Sequence, residues 1–143
     1  MFFSKSCEYA LRATMYLAQA KENERVGIKV IAKDLNLPAD YLNKVMQSLV
    51  KHELVSSIKG RNGGFYLTPN ERNKPLIKIV HAIDGKAVFH KCGLGIDNCS
   101  SKKPCPLHNE IKAYRDNLKL ALSNNSIGST LNDLAAGATF LSR

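Results

Sequence analysis

The order of elements between Ile28 and Thr68 constrains this chain more than any single motif in it. Ile28, Ile31, Ala32 and Leu35 fall at i, i+3, i+4 and i+7, which places them on one face of a short helix. Asn36-Leu37-Pro38 breaks that helix, and Pro38 suits the first position of the next, where a missing N–H costs nothing. The following helix carries Leu42, Val45, Met46, Leu49 and Val50 on its apolar side and Asp40, Asn43, Lys44, Gln47 and Lys51 on its polar face. Two strand-like runs, Leu54 to Lys59 and Phe65 to Thr68, then flank Gly60-Arg61-Asn62-Gly63-Gly64, a strong hairpin signal. Helix, tight turn, helix and hairpin in this order spell a winged helix-turn-helix.

That architecture reads duplex DNA when the second helix enters the major groove, where base edges carry a unique donor and acceptor code. Asn43 and Gln47 lie one turn apart and could pair with adenine, while Lys44 and Lys51 could meet guanine or phosphate and Asp40 shares their face. Arg61, among glycines at the hairpin tip, is placed to enter a minor groove, with Lys59 serving the backbone. A net charge of +9, from 21 Lys+Arg against 12 Asp+Glu, favours a polyanionic partner. Tyr41 and Phe65 suit packing at the domain edge better than stacking on bases.

Around this unit the remaining elements are helical. Lys5 to Ala20 reads as a helix buried on several sides, with Ser4 as its N-cap, and Cys7 on it behaves as a small hydrophobe. A helix opens at Lys74-Pro75-Leu76 and ends at Gly85. A longer one, Asn109 to Ser123, bears a stripe of Ile111, Tyr114, Leu118, Ala121 and Leu122, and a short one, Leu131 to Ala136, is expected to be capped by Thr130 or Ser129. The predicted fold is mainly α with a small β-hairpin wing: a winged helix-turn-helix over 1–85, a cysteine-rich loop over 86–108 and a helical segment over 109–143. No apolar run approaches the roughly 18 residues of a membrane span, and a secretory signal is not legible, so a cytoplasmic protein is expected.

The cysteine loop is the sharpest chemical signal. Cys92, Cys99 and Cys105, followed by His108, give the spacing C-x6-C-x5-C-x2-H. Three clustered thiols cannot all pair with one another, so metal or redox chemistry precedes a disulfide scaffold. Structural zinc favours closer ligand pairs, whereas these wider gaps suit an iron–sulfur cluster; zinc and plain buried thiols are the alternatives. Gly93 and Gly95 allow close backbone approach, and Lys91, Lys102 and Lys103 would offset a thiolate-bound cluster. The chain lacks the C-x2-C run of bacterial ferredoxins, a nucleotide-binding glycine motif and a paired acid–base constellation, so an enzyme is not expected.

Tyr9-Ala10-Leu11-Arg12-Ala13, Tyr41-Leu42-Asn43-Lys44-Val45, Leu54-Val55-Ser56-Ser57 with the glycine-rich wing, and the cysteine loop together resemble the Rrf-two-type bacterial winged-helix regulators. That family includes IscR-like iron–sulfur assembly regulators and NsrR-like nitric-oxide sensors. The resemblance implies a homodimer joined through the long helix after the cysteines, gripping a roughly palindromic double-stranded DNA operator as a transcription regulator, expected to be a repressor. It also implies a cluster held by Cys92, Cys99 and Cys105. The fourth ligand would be His108 for a 2Fe–2S cluster, or Glu8 of the partner subunit for a 4Fe–4S cluster.

Overall fold

The computed structural model describes residues 2–143. Helix α1 (Lys5–Ala18) runs through the centre, with Cys7, Ala10, Ala13, Thr14, Leu17 and Ala18 all buried. Ser4 caps it as expected, its hydroxyl accepting from the Cys7 N–H, and is itself held by Asp84 from the end of α5 (Ile77–Asp84). The helix ends at Ala18 rather than Ala20. There the Arg72 guanidinium supplies the last-turn cation that α1 lacks, donating to the Ala18 and Ala20 carbonyls at 2.7 and 2.8 Å.

Helices α2 (Ile28–Leu35) and α3 (Ala39–Lys51) pack on α1 and on each other. Asn36 stops α2 in the left-handed region, φ 54°, and the Leu37 N–H returns to the Ala32 carbonyl at 2.8 Å. Pro38 is the N-cap of α3, one position earlier than expected. Leu42, Val45, Met46 and Leu49 are buried, and Val50 is half-buried.

The hairpin is shorter than its sequence suggests. Strands β1 (Ser56–Ile58) and β2 (Gly64–Tyr66) pair antiparallel with Ser57 opposite Phe65. Leu54 and Val55 lie ahead of β1, where they are buried in the core instead of joining the sheet. The segment before α2 adds a third edge: Val26 and Phe65 exchange both backbone hydrogen bonds, at 2.8 and 2.9 Å. Helix α4 (Pro69–Arg72) follows at once, opened by a capping box in which Thr68 and Glu71 satisfy each other's backbone N–H. Glu71, 4% exposed, also accepts from the Ser56 hydroxyl and so ties α4 to the hairpin.

Gly85 ends α5 at φ 79° and leads into a 3-10 turn over Lys86–Phe89. After the cysteine loop comes α6 (His108–Asn124), then a 3-10 turn (Gly128–Thr130) and α7 (Leu131–Ala135). Thr130 holds the N-cap position of α7, but neither its side chain nor that of Ser129 makes a capping hydrogen bond. Their hydroxyls donate backward to the carbonyls of Ile127 and Ser126, because both belong to the preceding 3-10 turn. Leu122 and Ile127 join the same core as α1 to α5. The apolar stripe of α6 is only partly inward: Leu122 is buried and Leu118 packs against the core, whereas Tyr114 is 59% exposed and Ala121 lies open.

Candidate nucleic-acid interface and cysteine site

On α3, Asp40, Lys44, Gln47 and Lys51 form one exposed stripe, since steps of four, three and four residues keep to a single helix face. Asn43 lies at its edge and is half-buried, not open as its sequence position suggested. Asp40 in the first turn suits the positive end of the helix. Lys59 and Arg61 are exposed at the hairpin tip. The tip is braced from behind by Arg25, whose guanidinium donates to the Asn62 carbonyl at 3.3 Å. Gly63 and Gly64 set its shape: a Cβ on Gly63 would lie 2.1 Å from the Ile58 carbonyl oxygen. Tyr41 stacks edge-on to Tyr9, and its hydroxyl meets that of Ser6 at 2.5 Å, fixing the start of α3 against α1. Phe65 is 4% exposed, so it packs rather than reads. Arg25 and Ser6 were not singled out from sequence, because their contacts join segments 37 and 35 residues apart.

The cysteine loop begins as a small hairpin, with Lys91 bridged to Asn98 and the Cys99 N–H returning to the His90 carbonyl at 2.9 Å. Gly95 turns it at φ 77°. This curl aims the N–H groups of Leu94, Ile96 and Gly95 at the Cys92 sulfur and, with the Cys105 thiol, they draw its pKa below the ordinary thiol value. Cys99 Sγ stands 3.3 Å from His108 Nδ1, and His108 Nε2 lies 3.3 Å from the Ser101 hydroxyl. The donors are thus gathered as two pairs, Cys92 with Cys105 and Cys99 with His108. Among the described residues, no three His, Cys, Asp or Glu side chains converge closely enough to hold one metal ion. Their chemistry nonetheless fits a soft metal cluster, with free thiols, a nitrogen donor and N–H groups already turned toward one sulfur. His108 is 8% exposed, held at the first turn of α6.

Glu8 sits on α1, where it pairs with Lys5 at 3.7 Å. Cys7 is fully buried, and desolvation together with Asp84 pushes its thiol up to about 12. Lys91, Lys102 and Lys103 are exposed around the loop.

The model of the Rrf2 family, described as iron-dependent transcriptional regulators, matches residues 3–136. The chain belongs to the Rrf2 family. A relative from Aquifex aeolicus, named "Putative HTH-type transcriptional regulator", is 32% identical over 136 residues, 94% of this chain and 91% of that protein. The HTH-type transcriptional regulator NsrR of Oceanobacillus iheyensis is 30% identical over 112 residues, 78% of this chain and 76% of its own. Among solved structures, CymR, the global cysteine regulator of B. subtilis, superposes with a TM-score of 0.71 at 22% identity, covering 91% of this chain and 95% of that one. IscR of T. potens gives 0.69 at 22% identity, over 96% and 90%. These two share the fold: mainly helical, with a two-stranded wing. This Rrf2 chain is an HTH transcriptional regulator, with DNA as the partner its class implies, and not an enzyme. No helix among the described residues is long and apolar enough to cross a membrane.

Proposed function

We propose that this Rrf2 protein is a cytoplasmic, homodimeric repressor whose grip on a roughly palindromic operator is set by an iron–sulfur cluster in the loop 86–108. The observation that carries the reading is the sulfur site itself: Cys99 Sγ stands 3.3 Å from His108 Nδ1, and backbone N–H groups and the Cys105 thiol favour the anionic form of Cys92. Donors held as two pairs suit a cluster whose two irons each take two protein ligands better than a lone tetrahedral zinc. Cys92, Cys99, Cys105 and His108 are therefore the proposed ligands of a 2Fe–2S centre, with Glu8 of a second chain as the alternative fourth ligand for a 4Fe–4S centre. Such a cluster supplies a charge and a reactivity that iron supply, redox state or nitric oxide can change.

The chain's own residues translate that change. The loop ends where α6 begins, so bracing it fixes α6 against α5 and the 3-10 turn before the loop. Tyr114 and Leu120 are 59 and 58% exposed on opposite edges of the outer side of α6, with Leu107 49% exposed just before it, and these apolar groups are proposed to pair with a second copy in a dimer. Half-sites read by a dimer lie about 34 Å apart, so a small change in how two chains pair shifts operator affinity. In each chain Asp40, Asn43, Lys44, Gln47 and Lys51 would meet the major groove, and Lys59 and Arg61 the backbone and minor groove. Residues 1–85 then act as reader, 86–108 as sensor and 109–143 as dimerisation segment.

The test is anaerobic purification of the parent and Cys99→Ala. A coloured parent with stoichiometric iron and sulfide, bleached by the substitution, supports the reading. Colourless protein with one zinc per chain overturns it. The Cys92–Cys105 contact favours one second reading, a cofactor-free thiol pair that responds to oxidants. Protein that takes up neither metal yet loses two free thiols on mild oxidation would support that instead.

A further inference from the structure

Arg115 projects from α6 into the chain's own interior and is only 6% exposed. It shares a face with His108 and Leu122, the other two buried residues of that helix. Its partners are poor. One terminal nitrogen reaches the Lys91 carbonyl at 3.5 Å, the outer limit of a hydrogen bond, and its Nε is shut off from solvent with no hydrogen-bond partner among the described residues. The recorded ion pair, Asp116 at 3.8 Å from Nε, is long and made by a side chain that is 51% exposed. A guanidinium keeps its charge at any ordinary pH, so burying it this way is strongly unfavourable unless an anion is part of the working site.

The loop provides the candidate. Lys91, whose carbonyl Arg115 touches, directly precedes Cys92. The loop backbone is pressed onto the same stretch of α6, where a Cβ on Gly93 would lie 2.9 Å from Ile111, one turn before Arg115. We propose that Arg115 is a positioning residue for the cysteine site, its buried guanidinium serving as fixed counter-charge to the anionic thiolate-bound cluster. This rests on the iron–sulfur reading of the loop and adds to it. One side chain on the proposed dimerisation helix then feels the charge of the sensor directly.

The test compares the full-length parent with Arg115→Met and Arg115→Lys, first without iron and then after anaerobic reconstitution. Without iron, Arg115→Met should melt no lower than the parent, because an ill-paired buried charge has been removed. Once loaded, its cluster should have a lower midpoint potential, by at least a tenfold shift in the oxidised-to-reduced ratio, about 59 mV for a one-electron couple. Arg115→Lys should stay within that margin. Loss of cluster from Arg115→Met alone, with Arg115→Lys loaded, supports the same role. An unchanged midpoint in Arg115→Met, or an equal shift in both variants, overturns it, and a fall in the iron-free Tm marks Arg115 as plain structural support. A parent that takes up no iron or sulfide overturns the reading of the loop itself, and this role with it.

Discussion

Replacing Gly64 with alanine tests whether the wing is fastened to the helix-turn-helix through Val26. Gly64 sits at φ 149°, a conformation that side chains rarely adopt. A Cβ there would lie 2.7 Å from the Val26 carbonyl oxygen and 2.8 Å from its carbon. Both neighbours are backbone, so relief requires β2 and Val26 to part, with loss of the two hydrogen bonds between Val26 and Phe65. Backbone strain of this kind costs about 1–3 kcal/mol. Each lost hydrogen bond adds about 1 kcal/mol net, so the expected destabilisation is about 3–5 kcal/mol. For a chain of this size that corresponds to a fall in Tm of about 9–15 °C. Gly27→Ala is the control, since a Cβ there meets nothing within 4 Å among the described residues. Its cost should stay near that of exchanging an N-cap glycine, about 1 kcal/mol or less. Thermal unfolding followed by circular dichroism reads both. A Gly64→Ala protein that melts within about 3 °C of the parent, or no lower than Gly27→Ala, refutes the fastening.

Four further outcomes are expected. Arg61→Ala should weaken operator binding and reduce the salt slope of log K by about one if Arg61 meets a phosphate, measured by fluorescence anisotropy over a salt series; unchanged binding removes the wing tip from the interface. Cys7, raised from the ordinary 9.0 to about 12, should resist iodoacetamide in the folded protein while Cys92, Cys99 and Cys105 react, as peptide mass mapping would report. The same shift fixes a sign: folded Cys7 holds its proton where the unfolded chain loses it, so stability declines as pH rises from about 9 toward 12. Urea midpoints at the two ends of that window should differ less in Cys7→Ala. Leu120→Glu, on the exposed face of α6, should convert a dimer to a monomer in sedimentation without lowering the monomer's helicity; a dimer that persists places the interface elsewhere.

The helix-turn-helix and wing were legible because their signals are local: apolar spacing, Asn36-Leu37-Pro38 and the glycine-rich turn all act within a few residues. Thr68-x-x-Glu71 was equally local and could have announced α4, as a capping box needs only those two side chains. Other features were out of reach. Arg72 caps a helix 54 residues away, and nothing near it in sequence indicates that. Asn43 matches the polar pattern of α3, yet it is half-buried, which spacing along one helix does not reveal. The cysteine spacing raised the expectation of metal-type chemistry, but the division of donors into two pairs depends on the turn at Gly95 and the start of α6. Arg115 resembles any surface arginine until the loop is folded over it.

Reconstitution with iron and sulfide under anaerobic conditions, followed by one operator titration of the loaded and the iron-free protein, tests the proposed sensing role most directly. Loaded protein should show the visible absorption of a cluster, and its operator affinity should differ from that of the iron-free form by tenfold or more. Equal affinities of the two forms would contradict control through Cys92, Cys99 and Cys105, whatever the colour of the protein.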